Sequence, residues 1–347
     1  MININPKYKN FRLYFDEPTH KYTDNFANPY VSTTTFLHNY EPAFNSNYWA
    51  EQKAKEGNTS KKVILDNWAD ITKNACDMGN KYHNHFEDGI RQNSKFFKAV
   101  QYLNRNECGV MTTVADLGDI NHFVKPLDVA EFREFTKNKY PEIYSVFDFY
   151  TERGYKIYSE IGAFLPDYLL SGTIDILFIR DDKFIIGDWK TNRKGIEFSS
   201  GYYKKDKTVR PAQETNLWVD KDERLLPPLG NLQKCNGSIY SLQLNMYAMM
   251  VHLITGLPCA GLILCHIGVP FILNQYGRPQ RFDDGYHIDT TKEEVAKWYK
   301  INFLYNEIKL LLADRQRAIE GQLNTQGVLF NTCLLYTSDA ADDLTRV

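Results

Sequence analysis

The stretch GTIDILFIRDDKFIIGDWKTN, residues 172–192, constrains this chain more than any other. Two short, nearly continuous apolar runs flank Asp181 and Asp182, which predicts a β-hairpin closed by a two-residue turn. Runs that apolar predict strands covered on both sheet faces. Alternation puts Thr173, Asp175 and Leu177 on one face, with Ile174, Ile176 and Phe178 on the other. On the second strand Ile186, Asp188 and Lys190 share a side. A two-residue turn sets Asp175 opposite Asp188, with their Cβ atoms about 4.5–5.5 Å apart. Two carboxylates that close repel unless positive charge lies between them. A divalent cation resolves the conflict, since Mg²⁺ uses one or two carboxylates plus phosphate and water. Lys190 would then flank the metal and hold an attacking water or stabilise charge on a phosphate. The competing reading is a solvated hairpin with surface Asp and Lys.

Around this hairpin the pattern predicts an α/β layer. Residues 11–36 read as short strands with turns at Asp16-Glu17-Pro18 and Ala27-Asn28-Pro29, and Ser32 or Thr33 can cap a short helix. Residues 61–89 read as one helix, and 95–105 and 126–139 as two more. Residues 144–165 read as strand, turn at Arg153-Gly154, strand, so that with the hairpin four strands form a meander. Residues 199–235 read as irregular, 236–255 as helix, 260–268 as a buried strand and 291–320 as helix. No linker marks a second domain, and the helical N-terminal third is expected on the same core. Residues 331–347 continue no pattern and read as a non-native or disordered tail, leaving 1–330 as one domain.

Two helices offer further chemistry. Gly79, His83 and Glu87 are spaced by four and share one face, so His83 can offer an imidazole to a metal; by itself a lone helical histidine is more often structural. Gln243 and Tyr247 have the same spacing and form a polar seam, suited to phosphate contacts or simply to a core helix. Glu160 lies before the hairpin, as an extra metal or water ligand or as a surface glutamate.

Taken in order, these motifs resemble the PD-(D/E)xK nuclease superfamily in its RecB-like exonuclease branch. The helical G-x-x-x-H-x-x-x-E corresponds to Gly79, His83 and Glu87, the G-x-[IV]-D strand to GTID with Asp175, the D-x-K to Asp188 and Lys190, and the Q-x-x-x-Y to Gln243 and Tyr247. Glu160 fits the upstream glutamate of that branch, and the opening HKY…YVSTTTFLHNY is similar to its phage-encoded members. The resemblance implies a restriction-endonuclease-like mixed sheet flanked by helices. It implies Mg²⁺ or Mn²⁺ held by His83, Asp175 and Asp188, the last also through the Trp189 carbonyl, with Lys190 positioning water. It implies DNA hydrolysis leaving 5′-phosphates, with Gln243 and Tyr247 shaping the nucleic-acid side. A single-strand annealing protein, a recombinase or a separate helicase are the protein partners it implies. Endonuclease action through the same site, a non-catalytic DNA-binding module and a structural protein of a phage particle are the competing functions.

Composition narrows this further. The 41 basic and 43 acidic residues leave a formal charge of −2, unlike a histone-like binder. Yet Lys190–Arg210 carries seven basic residues, including Lys194, Lys204 and Lys205, against Glu197 and Asp206. Leaving the hairpin directly, beside Tyr202 and Tyr203, that segment is a candidate for tracking a phosphate backbone. Six cysteines without a CxxC fit a reduced cytosolic compartment and complete no clear iron–sulphur set. No P-loop motif occurs, and no apolar run approaches a membrane span or a secretory signal.

Overall fold

The computed structural model describes residues 2–16, 19, 21–73, 100–102, 109–119, 126–193, 195–283 and 285–324. Near the N-terminus, β1 (Leu13–Asp16), β2 (Lys21–Asp24) and β3 (Pro29–Ser32) lead into helices α1 (Thr33–His38), α2 (Ser46–Gly57) and α3 (61–73). Then come β4 (Val100–Tyr102), β5 (Gly109–Met111), α4 (Val129–Phe135) and α5 (Pro141–Thr151). Three long strands follow, β6 (Lys156–Leu165), β7 (Leu170–Arg180) and β8 (Lys183–Lys190). Beyond them lie β9 (Gly201–Asp206), β10 (Gln213–Asp220), α6 (Asn236–Thr255) and β11 (Cys259–Gly268). The last elements are β12 (Arg281–Phe282), β13 (Gly285–Tyr286), β14 (Val295–Ile301) and α7 (Tyr305–Asn324).

A ten-stranded mixed sheet runs β14-β11-β8-β7-β3-β2-β1-β5-β4, with β6 paired to β7. Strands β8 and β11 are parallel, as are β3 and β7; the other neighbours are antiparallel. The β7–β8 register is the one a two-residue turn at Asp181-Asp182 demands, Arg180 facing Lys183 through to Ile176 facing Gly187. On one sheet face α1, α6 and α7 bury Phe36, Leu37, Leu244, Met250 and Leu311 against Leu177, Ile186 and Leu264. On the other, α4 and α5 bury Phe132, Ile143 and Phe147 against Ile176, Phe178 and Cys265. The hairpin is thus covered on both sides, which is why its strands read as nearly unbroken apolar runs.

Several expectations are met locally. Ser32 is the N-cap of α1, its Oγ accepting the Thr35 N–H at 3.1 Å. Helix α6 and strand β11 fall where their patterns place them. Cys235, Cys259 and Cys265 are free thiols. Among the described residues, no helix is long and apolar enough to cross a membrane.

Other expectations are corrected. Residues 141–151 are helix rather than the first meander strand, so the meander has three strands. Pro141 opens the helix, and Ile143, Tyr144 and Phe147 all bury on one helical face. Residues 199–235 are not irregular throughout, because β9 and β10 pair as a hairpin with Lys205 facing Glu214. Residues 295–301 are strand rather than helix: they close the outer edge of β11, and Trp298 packs on Trp189 at 5.8 Å between ring centroids. Residues 100–102 are strand rather than helix, and the expected 126–139 helix is confined to 129–135. The N-terminal third is not simply helical, since β1, β2, β3 and β5 extend the sheet. The expected helix over 61–89 holds through residue 73; its remainder, and the tail 331–347, lie outside the described residues.

Phe147 touches Phe132, Phe178 and Trp189 at ring-centroid distances of 5.5, 5.8 and 6.2 Å. Phe147→Ala should therefore destabilise the fold by about 3–5 kcal/mol in urea unfolding. Phe149→Ala, on the exposed side of α5, should stay within about 1 kcal/mol.

Candidate active site

Strand β7 shares one edge between two neighbours. Val31 and Ser32 of β3 pair with Leu170 and Ser171, and β8 pairs with Ile176–Arg180. Between these ladders the sheet splits, and Asp175 stands in the split. Its Oδ2 accepts the Trp189 N–H at 3.0 Å, so a carboxylate takes a backbone donor just beyond the last ladder pair. Crowding by protein pushes the Asp175 pKa up to about 6, and the negative field of Glu160 adds to that rise. Asp188 and Lys190 oppose it, the first through a side-chain hydrogen bond and the second through its charge.

Asp188 and Lys190 alternate onto the same side of β8, while Trp189 between them points into the aromatic cluster on the opposite face. That indole pins the end of the strand. Lys190 is only 5% exposed, and its Nζ lies 3.2 Å from Asp188 Oδ1. It also sits over the Tyr240 ring, 4.7 Å from the centroid, where the ring's negative face suits an ammonium.

Glu160 holds a left-handed backbone, φ +50°, in mid-strand. The β6–β7 ladder pairs Ser159 with Ile176 and Ile161 with Ile174, and breaks at Glu160, opposite Asp175. Left-handed backbone costs a non-glycine residue roughly 1–2 kcal/mol. The strain falls opposite Asp175, whose proton affinity the charge of Glu160 helps to raise.

Helix α6 roofs the site. Tyr240, Gln243 and Tyr247 recur at spacings of three and four on its lower face. Gln243 Nε2 donates to the Tyr247 hydroxyl at 3.3 Å. Burial, with added repulsion from Asp188 and Asp175, raises the Tyr247 pKa far above its ordinary value, so the phenol keeps its proton. Gly172 makes room for that ring: a Cβ there would lie 2.6 Å from Tyr247 Cε1 and 2.9 Å from its hydroxyl. On β11, His266 stands beside Lys190 in register. Its Nε2 is 2.7 Å from the Asn192 carbonyl, which can only accept, so Nε2–H donates and holds the turn after Lys190.

The structure thus brings Asp175, Asp188, Lys190, Glu160, Gln243 and Tyr247 into one neighbourhood. Tyr240 and His266 join them without having been anticipated. Tyr240 extends the Gln243–Tyr247 spacing by one turn, a signal present in the sequence; His266 is placed by the β8–β11 pairing alone. Lys204 is exposed and Lys205 half-buried, on opposite faces of β9. His83, Gly79, Glu87 and Lys194 lie outside the described residues.

The donor set suits a hard cation. Asp175 and Asp188 offer carboxylate oxygens, which favour Mg²⁺ or Mn²⁺ over soft metals. Among the described residues, no three His, Cys, Asp or Glu side chains are grouped to hold a metal ion. Asp175 and Asp188 are the hard oxygen donors that the described residues place on β7 and the adjoining end of β8. Comparison with protein-family models, with curated proteins and with solved structures returns no match.

Gly172→Ala should drive the Tyr247 ring from its seat and destabilise by about 1–3 kcal/mol in urea unfolding. Asp175 gives a pH signature. Its folded pKa of about 6 exceeds the ordinary 3.8, so the native state holds the extra proton between those values. Stability from this group therefore falls as pH rises from about 4 to 6. In metal-free buffer Asp175→Asn should gain on wild type by roughly 3 kcal/mol between pH 4 and 7, read from paired urea midpoints.

Proposed function

We infer that this chain is a metal-dependent deoxyribonuclease of the PD-(D/E)xK type, with a restriction-endonuclease-like core, acting as an exonuclease. The observation that carries the reading is the buried Lys190 held 3.2 Å from Asp188, on the strand whose backbone binds Asp175. A lysine and two carboxylates in an otherwise apolar sheet are costly to fold, and perturbed groups of this kind cluster at chemical sites.

Asp175 and Asp188, with His83 and the Trp189 carbonyl on the resemblance, are the groups to hold Mg²⁺ or Mn²⁺. When bound, such an ion supplies Lewis-acid polarisation of a phosphoryl oxygen and a water of lowered pKa. Lys190 has its ammonium fixed between Asp188 and Tyr240, so it can orient an attacking water or stabilise charge on the phosphate without reorganising. Water oxygen bonds to phosphorus as the phosphorus–O3′ bond breaks, leaving a 5′-phosphate and a 3′-hydroxyl. Tyr247, kept protonated, and Gln243 close the site from above and keep a neutral hydrogen-bonding surface towards the nucleic acid. His266 acts through Asn192, holding the chain as it leaves Lys190.

Purified chain should shorten end-labelled linear DNA with Mg²⁺ or Mn²⁺ and not in EDTA, leaving circular single strands intact. Lys190→Ala and Asp175→Ala should each cut the rate by about a hundredfold or more. Full activity in both variants would overturn the mechanism, and cutting of circles would make the enzyme an endonuclease.

A further inference from the structure

Strands β8 and β11 run parallel and end together, with His266 in register with Lys190. Ligands of open α/β sheets commonly bind outside the carboxyl ends of such parallel strands. Two segments leave the sheet there. One is the turn after Lys190. Its Asn192 carbonyl accepts the His266 Nε2–H at 2.7 Å and the Gly195 N–H at 3.2 Å, and its Gly195 carbonyl accepts the Asn236 side-chain amide at 2.9 Å. The turn is thereby held from β11 and from the start of α6. The other segment is the arm that continues β11 and carries β12 and β13. Within it the Asp289 N–H donates to the Pro270 carbonyl at 2.7 Å and the Ile272 N–H to the His287 carbonyl at 3.0 Å, so the chain folds back along its own departure from the sheet. Gln213 of β10 bonds the Arg281 backbone in both directions, at 2.7 and 2.9 Å, and fastens the arm to the β9–β10 hairpin.

Arg193 joins the two segments. Its guanidinium lies over the Tyr286 ring, 3.7 Å from the centroid, and Phe271 meets that ring in a T-shaped contact at 6.4 Å. Contact with a ring face holds the cation but uses none of its five N–H donors. Among the described residues, the Arg193 guanidinium enters no hydrogen bond and no ion pair. The other described arginines stacked on rings differ in this. Arg133, Arg153, Arg180 and Arg278 lie over Tyr144, Phe149, Tyr155 and Tyr203. Each has a carboxylate oxygen within 4.0 Å of a guanidinium nitrogen, from Asp148, Glu152, Asp182 and Glu214 in turn. Arg193 is half-buried and fixed by its ring, and its charge and donors are unspent on the described chain. Three residues of chain separate it from Lys190, a reach of at most about 11 Å between Cα atoms.

We propose that Arg193 binds a backbone phosphate of the substrate adjacent to the one cleaved, with Tyr286 as the positioning residue that holds its guanidinium. The planar fork matches two phosphate oxygens, and stacking on the ring removes side-chain freedom before the substrate arrives. The phosphate supplies the anion that the other stacked arginines find within the chain. The proposal rests on the hydrolytic site and nucleic-acid substrate inferred above, and goes beyond them in assigning Arg193 and Tyr286.

The test pairs steady-state cleavage of a labelled linear duplex in Mg²⁺ with fluorescence anisotropy of the same duplex in EDTA over a salt series, both on the full chain. Arg193→Gln should raise KM by about tenfold and leave kcat within about twofold, because the lost contact is made equally in ground and transition states. In EDTA its affinity should fall by about tenfold and its log–log salt slope should flatten by about 0.9, the value of one phosphate contact. Arg193→Lys, which keeps the charge without the fork, should keep the slope yet bind several-fold more weakly. Tyr286→Leu should raise KM, and Tyr286→Phe, which retains the ring face, should restore most of that loss. Arg153→Gln, on the distant Phe149 ring, should match wild type, and melting curves establish that each variant is folded. Unchanged KM, affinity and slope in Arg193→Gln, or a loss confined to kcat, would overturn the proposal. If wild type cleaves while Arg193→Gln binds and cleaves as it does, the Arg193 assignment fails and the hydrolytic reading stands. If Arg193→Gln loses affinity and slope but wild type never cleaves, the hydrolytic reading fails and the phosphate contact stands. Absence of both binding and cleavage in wild type overturns the two together.

Discussion

A lysine ammonium and a carboxylate, both almost wholly out of water, meet at the end of β8. Removing an ion from water costs several kcal/mol even after relaxation, and Coulomb attraction returns that only with good geometry. Everything near the pair serves that geometry. Trp189 anchors the strand from the far face, Tyr240 offers its ring to the ammonium, and the β7–β8 register sets Asp175 within reach of the Trp189 amide. A shift of one residue would turn Asp188 and Lys190 into the aromatic cluster and Trp189 towards α6. Burial of both sheet faces makes that slip prohibitive, so the apolar mass of the fold is what holds its charged centre in place.

The unfavourable features are concentrated in one place. Glu160 has strained backbone, Asp175 is crowded among like charges, and the sheet divides between β3 and β8. Elsewhere the elements are locally consistent: Ser32 caps α1, Gly256 ends α6 in the left-handed region, and Asn245 links α6 to residues 302 and 304. On the proposed reading, these departures from local consistency coincide with the active site.

The charge distribution extends this logic outward. Asp175 and Asp188 sit on the central strands β7 and β8, while the β9–β10 hairpin carries Lys204, Lys205 and Lys207. The near-neutral net charge conceals this separation because it averages over faces.

The hairpin and its two-residue turn, the Ser32 cap, α6 and β11 were all legible in the sequence, because each depends on neighbours within a few residues. The opposition of Asp175 and Asp188 followed from turn length alone. Other elements needed partners distant in the chain. YSVFDFY alternates well enough for a strand, and only the aromatic pocket against Phe178 and Trp189 makes it helix. VAKWYKI sits in a helix-forming context, and only the open edge of β11 draws it into the sheet. The β9–β10 hairpin, the arm that docks on it, the roof of Tyr240 over Lys190 and the place of His266 are likewise tertiary facts. By itself the sequence determined the register of the β7–β8 hairpin and which of its charged groups share a side. Tertiary structure decided which of them meet, because burial and edge pairing act across hundreds of residues and override local propensity where the two conflict.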